Sequence, residues 1–333
     1  MTTVCLLGGD GIGPEVVAQG RRVLEATGLD LAFSEGEVGF GAYQRHGTPL
    51  PQATVEAVAA ADATLFGAVT TPPGIPGYRS PILQLRQRFA LFANVRPCAS
   101  IPHPSSRPGV DLVIVRENTE GLYAGRERVE DGGDTAITER VITRAASERI
   151  VRFACELARA QGRRRVTVAH KANVLRATCG LFREAARAVA AGFPDLEVDE
   201  LLVDACAMEL LRAPEALSVI VTSNLFGDIL SDEACMLVGG LGLACSANVG
   251  AEAALFEPVH GSAPDIAGRG VANPLATIAS AALLLEHLGH AAQAARVRAG
   301  IEGALRAGRV TPDLGGELGT EAATDAVLEG LVD

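Results

Sequence analysis

The sequence predicts an α/β protein with a largely parallel sheet. Short β-type runs, VCLL, LAFSEGEV, ATLFGAV, VDLVIV, RRVTVAH, LEVDELLVD and LSVIVTSN, alternate with alanine-rich helical stretches such as residues 52–61, 145–160 and 180–191. Strands that alternate with helices build parallel sheets through crossover units. A chain of 333 residues, 48% hydrophobic, can bury a large core and has the length for two domains.

Taken in order, the elements are punctuated by breaker segments. TTPPGIPGY (70–78) reads as a loop, and RPCASIPHPSSRPG (96–109) as a Pro/Ser-rich crossing between two domains. The glycine-rich VGGLGLACSANVG (238–250) carries the chain back. The expected arrangement is therefore a discontinuous large domain, residues 1–97 with 240–333, and an inserted domain, 98–239. No repeat or low-complexity segment is visible.

Composition narrows the function. The longest apolar run, eleven residues from Leu275 to Leu285, is too short to span a bilayer, and no secretory pattern opens the chain, so a soluble cytoplasmic protein is expected. Seven scattered cysteines without a C-x-x-C pair read as buried thiols. A net charge of -11 argues against nucleic acid as a partner. It also means that an anionic substrate would need a local cluster of arginines.

The first helix entry, VCLLGGDGIGPEVV (4–17), has the order of a dinucleotide-binding turn but the wrong spacing. Read from Gly9, the third glycine of the motif falls on Pro14, and Asp10 sets a carboxylate where a pyrophosphate would approach. The stretch reads as a glycine-permitted strand-to-helix turn with Pro14 near the first helical position. A nucleotide would bind elsewhere.

Four further segments carry candidate chemistry. In SNLFGDILSDEA, Asp228 and Asp232 lie four apart on one helical face, and Asp204 closes the strand-like ELLVD. Three carboxylates suit Mg²⁺ or Mn²⁺; helix-start acids and a capping aspartate are the other reading. LQLRQRFALFANVRP and VIVRENTEGLY supply Arg86, Arg96 and Arg116, whose guanidinium groups would select a di- or tricarboxylate if they converge, and Tyr123 ends the second stretch. VTVAHKANV ends a strand with His170, Lys171 and Asn173, where a lysine can act as a base. EPVHGSAPDIAGRGVANP (257–274) has no strand pattern and reads as a long functional loop, the expected nucleotide site.

Together these stretches resemble the β-decarboxylating dehydrogenases, the isocitrate/isopropylmalate dehydrogenase family. GDGIGPE, LRQRFALFANVRP, VIVRENTEGLY, ASERI, AHKANV, SNLFGDILSD and HGSAPDIAG with ANP occur in family order over nearly the whole chain. The resemblance implies an isopropylmalate dehydrogenase-like two-domain fold with a large mixed, mostly parallel sheet, distinct from the Rossmann type, in which the opening glycine turn is structural. It implies that Arg86, Arg96 and Arg116 hold the malate portion of the substrate, with Thr71, Ser80 and Asn173 also in contact. Tyr123 and Lys171 would serve acid–base steps, and Asp204, Asp228 and Asp232 would hold Mg²⁺ or Mn²⁺. The adenosine half of the cofactor would lie on His260, Gly261, Ser262, Ala263, Pro264, Asp265 and Ile266, with Asn273, Thr70 and Asn173 completing the cofactor site.

The resemblance also implies a homodimer, or a tetramer built from it, in which Lys171 and Asp204 reach the partner's site. Asp265 and Ile266 favour NAD, because a carboxylate accepts from a free 2'-hydroxyl and repels a 2'-phosphate; relatives that use NADP carry a lysine–tyrosine pair there. In YRSPILQLR, polar Ser80 beside apolar Ile82 and Leu83 most resembles homoisocitrate dehydrogenases of lysine biosynthesis. RENTEGLY also sides with the tricarboxylate enzymes. Some bacterial homoisocitrate enzymes carry arginine where Leu83 stands. Isocitrate and isopropylmalate enzymes are the alternatives within the family, and a non-catalytic regulatory subunit or a simple nucleotide-binding module is the alternative outside catalysis. The tyrosine, lysine and metal aspartates are all retained.

Overall fold

A computed structural model of the chain describes residues 1–75 and 77–331. Pro76 of the 70–78 loop and the last two residues of the expected large domain lie outside the described residues. Contacts divide the chain into two compact units: Met1–Leu91, Ile101–Ser106 and Gly239 onward form the first, Phe92–Ser100 and Arg107–Val238 the second.

The first unit opens with β1 (Thr2–Gly9), α1 (Gly13–Ala26), β2 (Leu31–Glu35), α2 (Phe40–His46), α3 (Gln52–Ala60), β3 (Ala63–Ala68) and α4 (Pro81–Arg88). The second contains β4 (Ala93–Ala99), β5 (Asp111–Glu117), the ribbon β6 (Glu127–Glu130) and β7 (Thr135–Thr138), α5 (Arg144–Ala160) and β8 (Arg165–His170). It continues through α6 (Thr178–Ala190), β9 (Glu197–Leu202), α7 (Val203–Arg212), β10 (Val219–Thr222) and α8 (Asn224–Leu237). The chain returns to the first unit with β11 (Cys245–Val249), β12 (Ala254–Pro258), α9 (Leu275–His287), α10 (Ala291–Arg306) and α11 (Thr320–Glu329).

In the first unit the strands run in the order β2, β1, β3, β12, β11, parallel except for the β11–β12 pair. β3 is buried along its whole length, as a central strand covered on both faces requires. Leu7, Phe66, Leu85, Leu91 and Leu255 join one core cluster. The eleven-residue apolar run is α9, a helix apolar nearly all round because protein surrounds it.

The opening glycine turn answers to packing. Gly11 sits at φ 59°, and a Cβ there would fall 1.9 Å from the carbonyl oxygen of Ser262, while Ile12 N donates to that same oxygen at 2.9 Å. The Asp10 carboxylate accepts from the backbone amides of Phe40, Gly41 and Thr70 at 2.8, 2.9 and 2.9 Å. Its acceptor capacity ties three loops together.

In the second unit the order is β4, β5, β10, β8, β9, with β4 antiparallel to β5 and the rest parallel. The register sets Arg116 beside Thr222, Thr222 beside Ala169, and His170 beside Leu202. Arg116, Asn224, Lys171 and Asp204 therefore leave the same end of this sheet, where α/β sheets carry their ligand sites. α5 packs with α6, and α7 with α8.

Three sequence expectations need correction. The first boundary falls after Leu91 rather than 97, because β4 pairs with β5 from Ala93 opposite Glu117 to Ala99 opposite Asp111. Asp204 does not end a strand; β9 stops at Leu202 and Asp204 lies in the first turn of α7, where a carboxylate meets the positive end of the helix dipole. Glu257 and Pro258, read as loop, belong to β12, and the glycine-rich return segment contains β11. All seven cysteines are buried, and none is in a disulfide. Among the described residues no helix is long and apolar enough to cross a membrane.

Candidate active site

The second unit gathers five of the expected residues into one cluster. Arg96, on β4, donates from Nη1 to Asp232 Oδ1 at 2.9 Å and from Nη2 to Asp228 Oδ1 at 3.4 Å. Arg116, next to last on β5, pairs through Nη1 with the same Asp228 oxygen. The Tyr123 hydroxyl donates to Asp228 Oδ2 at 3.1 Å, and the Arg116 guanidinium stands 5.3 Å from the centre of the Tyr123 ring. The arginine side chains are 8% and 2% exposed, the Asp228 and Asp232 side chains 33% and 56%. Buried cations thus underlie carboxylates that still reach solvent.

Neutral side chains hold the arginines. Asn94 Oδ1 accepts from Arg96 Nε at 2.9 Å and Ser231 Oγ from Nη1 at 2.6 Å. Asn224 Oδ1 accepts from Arg116 Nε at 3.0 Å and Nη2 at 2.6 Å. The sequence reading passed over all three. Asn94 precedes Arg96 by two, on the same face of β4, and Asn224 precedes Asp228 by four, on the same side of α8, so strand and helix periods were the available signals.

Lys171 and Asp204 form a separate pair, with Nζ 2.5 Å from Oδ1. Donation by Lys171 holds the Asp204 carboxyl below the usual carboxylate range. Among the described residues no three His, Cys, Asp or Glu side chains of this single chain assemble into a metal-holding group. Asp228 and Asp232 are together; Asp204 is with the lysine. Their oxygen donors nevertheless suit a hard divalent cation.

The other expected residues lie in the first unit. Arg86, near the end of α4, is buried and bonded to Glu257 Oε1 at 2.9 Å, and Asn248 Nδ2 donates to that oxygen at 2.8 Å. Ser80 precedes α4 without a side-chain capping bond, Ile82 leans on the Leu85–Leu91 core, and Leu83 is half-buried. Thr71 is exposed, as is Asn173 in the second unit.

The loop after β12 wraps onto the glycine turn. The Thr70 hydroxyl lies 2.7 Å from that of Ser262, Ala263 takes the left-handed conformation at φ 36°, and Ile266 and Ala263 pack on Ile12, Val16 and Ala272. A cleft of about 410 Å³ opens here, lined by Ile12, His260, Ile266, Asn273 and Asp313 among others. His260 Nε2 is buried without a hydrogen-bond partner, and burial lowers the imidazole pKa. Asn273 Nδ2 donates to Asp313 at 2.9 Å, while Gly261, Pro264 and Asp265 are exposed.

Comparison with known proteins fits this arrangement. The family model described as isocitrate/isopropylmalate dehydrogenase matches residues 3–329. An isocitrate/homoisocitrate dehydrogenase of Thermus thermophilus is 55% identical over 98% of both chains. A 3-isopropylmalate dehydrogenase of Methanothermobacter thermautotrophicus is 47% identical over 99% of this chain and 98% of its own. The crystal structure of isocitrate dehydrogenase from Methylococcus capsulatus superposes with a TM-score of 0.96 at 46% identity, covering 100% of both chains. The chain belongs to the isocitrate/isopropylmalate dehydrogenase family, enzymes of oxidative decarboxylation.

Proposed function

We propose that the protein oxidises and decarboxylates a 2-hydroxy tricarboxylate with NAD, and that homoisocitrate is the preferred substrate. The observation that carries this reading is the Arg96–Arg116–Asp228–Asp232–Tyr123 cluster, a cationic base under exposed carboxylates with a phenol alongside. Arg96 and Arg116 bind substrate carboxylates through paired N–H donors, and Arg86 is a candidate for the same role. Asp228 and Asp232, with Asp204 of a partner copy, would hold Mg²⁺ or Mn²⁺. The 410 Å³ cleft and the orphaned His260 nitrogen suit the adenosine half of NAD, and exposed Asp265 suits its ribose 2'-hydroxyl. When bound, the ion supplies Lewis acidity and NAD supplies the hydride acceptor.

The side chains then divide the proton traffic. Lys171, in its neutral form, takes up at Nζ the proton of the substrate hydroxyl as the C2 hydride departs. The arginines hold the carboxylates and stabilise the enolate left by loss of CO₂. Tyr123 Oη protonates the carbon.

Association of two copies follows from the same unit. Met208 and Leu211 on α7 and Ile229 and Met236 on α8 are 71, 58, 58 and 66% exposed, an apolar face that a monomer would leave in water. We read it as the homodimer surface.

The substrate preference rests on Ser80 and Leu83 and on the Thermus relative. NADH formation with Mg²⁺ on homoisocitrate, isocitrate and 3-isopropylmalate, side by side, tests it. The largest kcat/KM is expected on homoisocitrate; a lead for 3-isopropylmalate would give the α4 start an apolar partner and overturn the reading.

A further inference from the structure

We infer that Asn224 is a positioning residue: it fixes the Arg116 guanidinium for the anionic substrate without setting a second carboxylate against it. The inference rests on the substrate role given above to Arg116.

Arg116 can only donate, so the atom it meets at 3.0 and 2.6 Å must be the amide oxygen of Asn224. One acceptor on Nε and Nη2 fixes the plane and rotation of the guanidinium, and Nη1 then faces Asp228. The orientation leaves the other end of the amide poorly served. Asn224 is 1% exposed, and its Nδ2 is buried with no hydrogen-bond partner.

An aspartate in the same volume would have no orphaned donor. It would also accept from Arg116 by charge-assisted bonds, which are stronger. Against that stand the cost of burying the charge and its repulsion by Asp228 one helical turn away. What asparagine avoids is a second carboxylate on Arg116, which already pairs with Asp228 in a buried setting; one more would weaken attraction for a multiply charged acid. Gly227, one helical turn further, lets the arginine stem lie against α8: a Cβ there would fall 2.6 Å from Arg116 Cβ and Cγ.

The experiment uses the full-length enzyme with saturating Mg²⁺ and compares Asn224→Asp, Asn224→Ala and Arg116→Lys with wild type. KM for isocitrate and homoisocitrate, KM for NAD, and Tm are read for each. Asn224→Asp should stay folded yet raise the hydroxy-acid KM about tenfold or more, leaving the NAD KM within twofold. Asn224→Ala should lower Tm, and a loosened guanidinium should lower kcat/KM about 10- to 100-fold. If the alanine variant does not fold, the isosteric aspartate variant decides. Should turnover vanish, the substrate-induced Tm shift replaces KM. A raised hydroxy-acid KM in Arg116→Lys with an unchanged one in Asn224→Asp would overturn the positioning role alone. An unchanged KM in Arg116→Lys would overturn the substrate role of Arg116, and the inference with it.

Discussion

Gly227 has no room for a side chain: a Cβ would lie 2.6 Å from two carbons of the Arg116 stem and 3.2 Å from a third. Arg116 is almost fully buried and pinned by Asn224, so neither partner can retreat cheaply. Gly227→Ala should therefore cost about 1–3 kcal/mol of stability by overpacking. It should also raise the hydroxy-acid KM, because the displaced group is the arginine; calorimetry and steady-state kinetics on one preparation check both. In the first unit, exposed Asp265 offers a carboxylate without a steric barrier, and Ile266 leans on the Ile12–Ala272 cluster. Replacing the pair with lysine and tyrosine should erode the preference for NAD over NADP. A hydrogen bond to a charged group contributes about 1.5–3 kcal/mol, so the ratio of kcat/KM values should move by about 10- to 100-fold. An unchanged ratio would mean that the ribose is read elsewhere.

Among the elements, α8 concentrates the most function in the fewest residues. Its first turns present Asn224, Gly227, Asp228, Ser231 and Asp232 to the arginines of β4 and β5. Two carboxylates four apart repel each other in an isolated helix, and here two guanidinium groups offset them. An added divalent cation has oxygen donors to meet in Asp228 and Asp232. Chelation should abolish turnover, and Mg²⁺ should raise Tm by binding the folded state alone. Full turnover in excess chelator, with no metal-dependent Tm shift, would remove the ion from the mechanism. Much of this element was legible in the sequence, because a helical period and charged residues announce themselves. Asn94, Asn224 and Ser231 were not, since a neutral side chain becomes informative only once its buried partner is known. Asp204 was misplaced for a related reason: the apolar centre of ELLVD continues the strand pattern before it, and only tertiary contacts show the chain turning into α7 after Leu202. β11 and β12 escaped because an antiparallel buried pair rich in glycine and proline neighbours carries little alternation.

For the whole molecule, a net charge of -11 repels an anion, so the substrate proposed above would depend on Arg96 and Arg116, buried under the more exposed Asp228 and Asp232. The same scale explains the two separate clusters of the second unit, Tyr123 with Asp228 and Lys171 with Asp204. One chain leaves the lysine on a different carboxylate from the one that meets the phenol. The exposed apolar residues of α7 and α8 give a second copy a place to pack, and Asp204 begins α7, so a two-fold pairing through these helices can carry the partner's Asp204 and Lys171 toward the Asp228 cluster. The consequence is testable by complementation. Lys171→Ala should suppress hydride transfer, because the hydroxyl proton has no acceptor, whereas Tyr123→Phe should impair protonation at carbon and still allow the oxo acid to be reduced by NADH. Each loss should be about 10²- to 10⁴-fold. Mixed in equal amounts under subunit exchange, half of the dimers are hybrids, and each hybrid has one site with both groups and one with neither. Recovery to about a quarter of wild-type activity is expected from that symmetry. Hybrids shown to form by mass spectrometry, yet inactive while each parent stays folded, would confine Lys171 to its own chain's site.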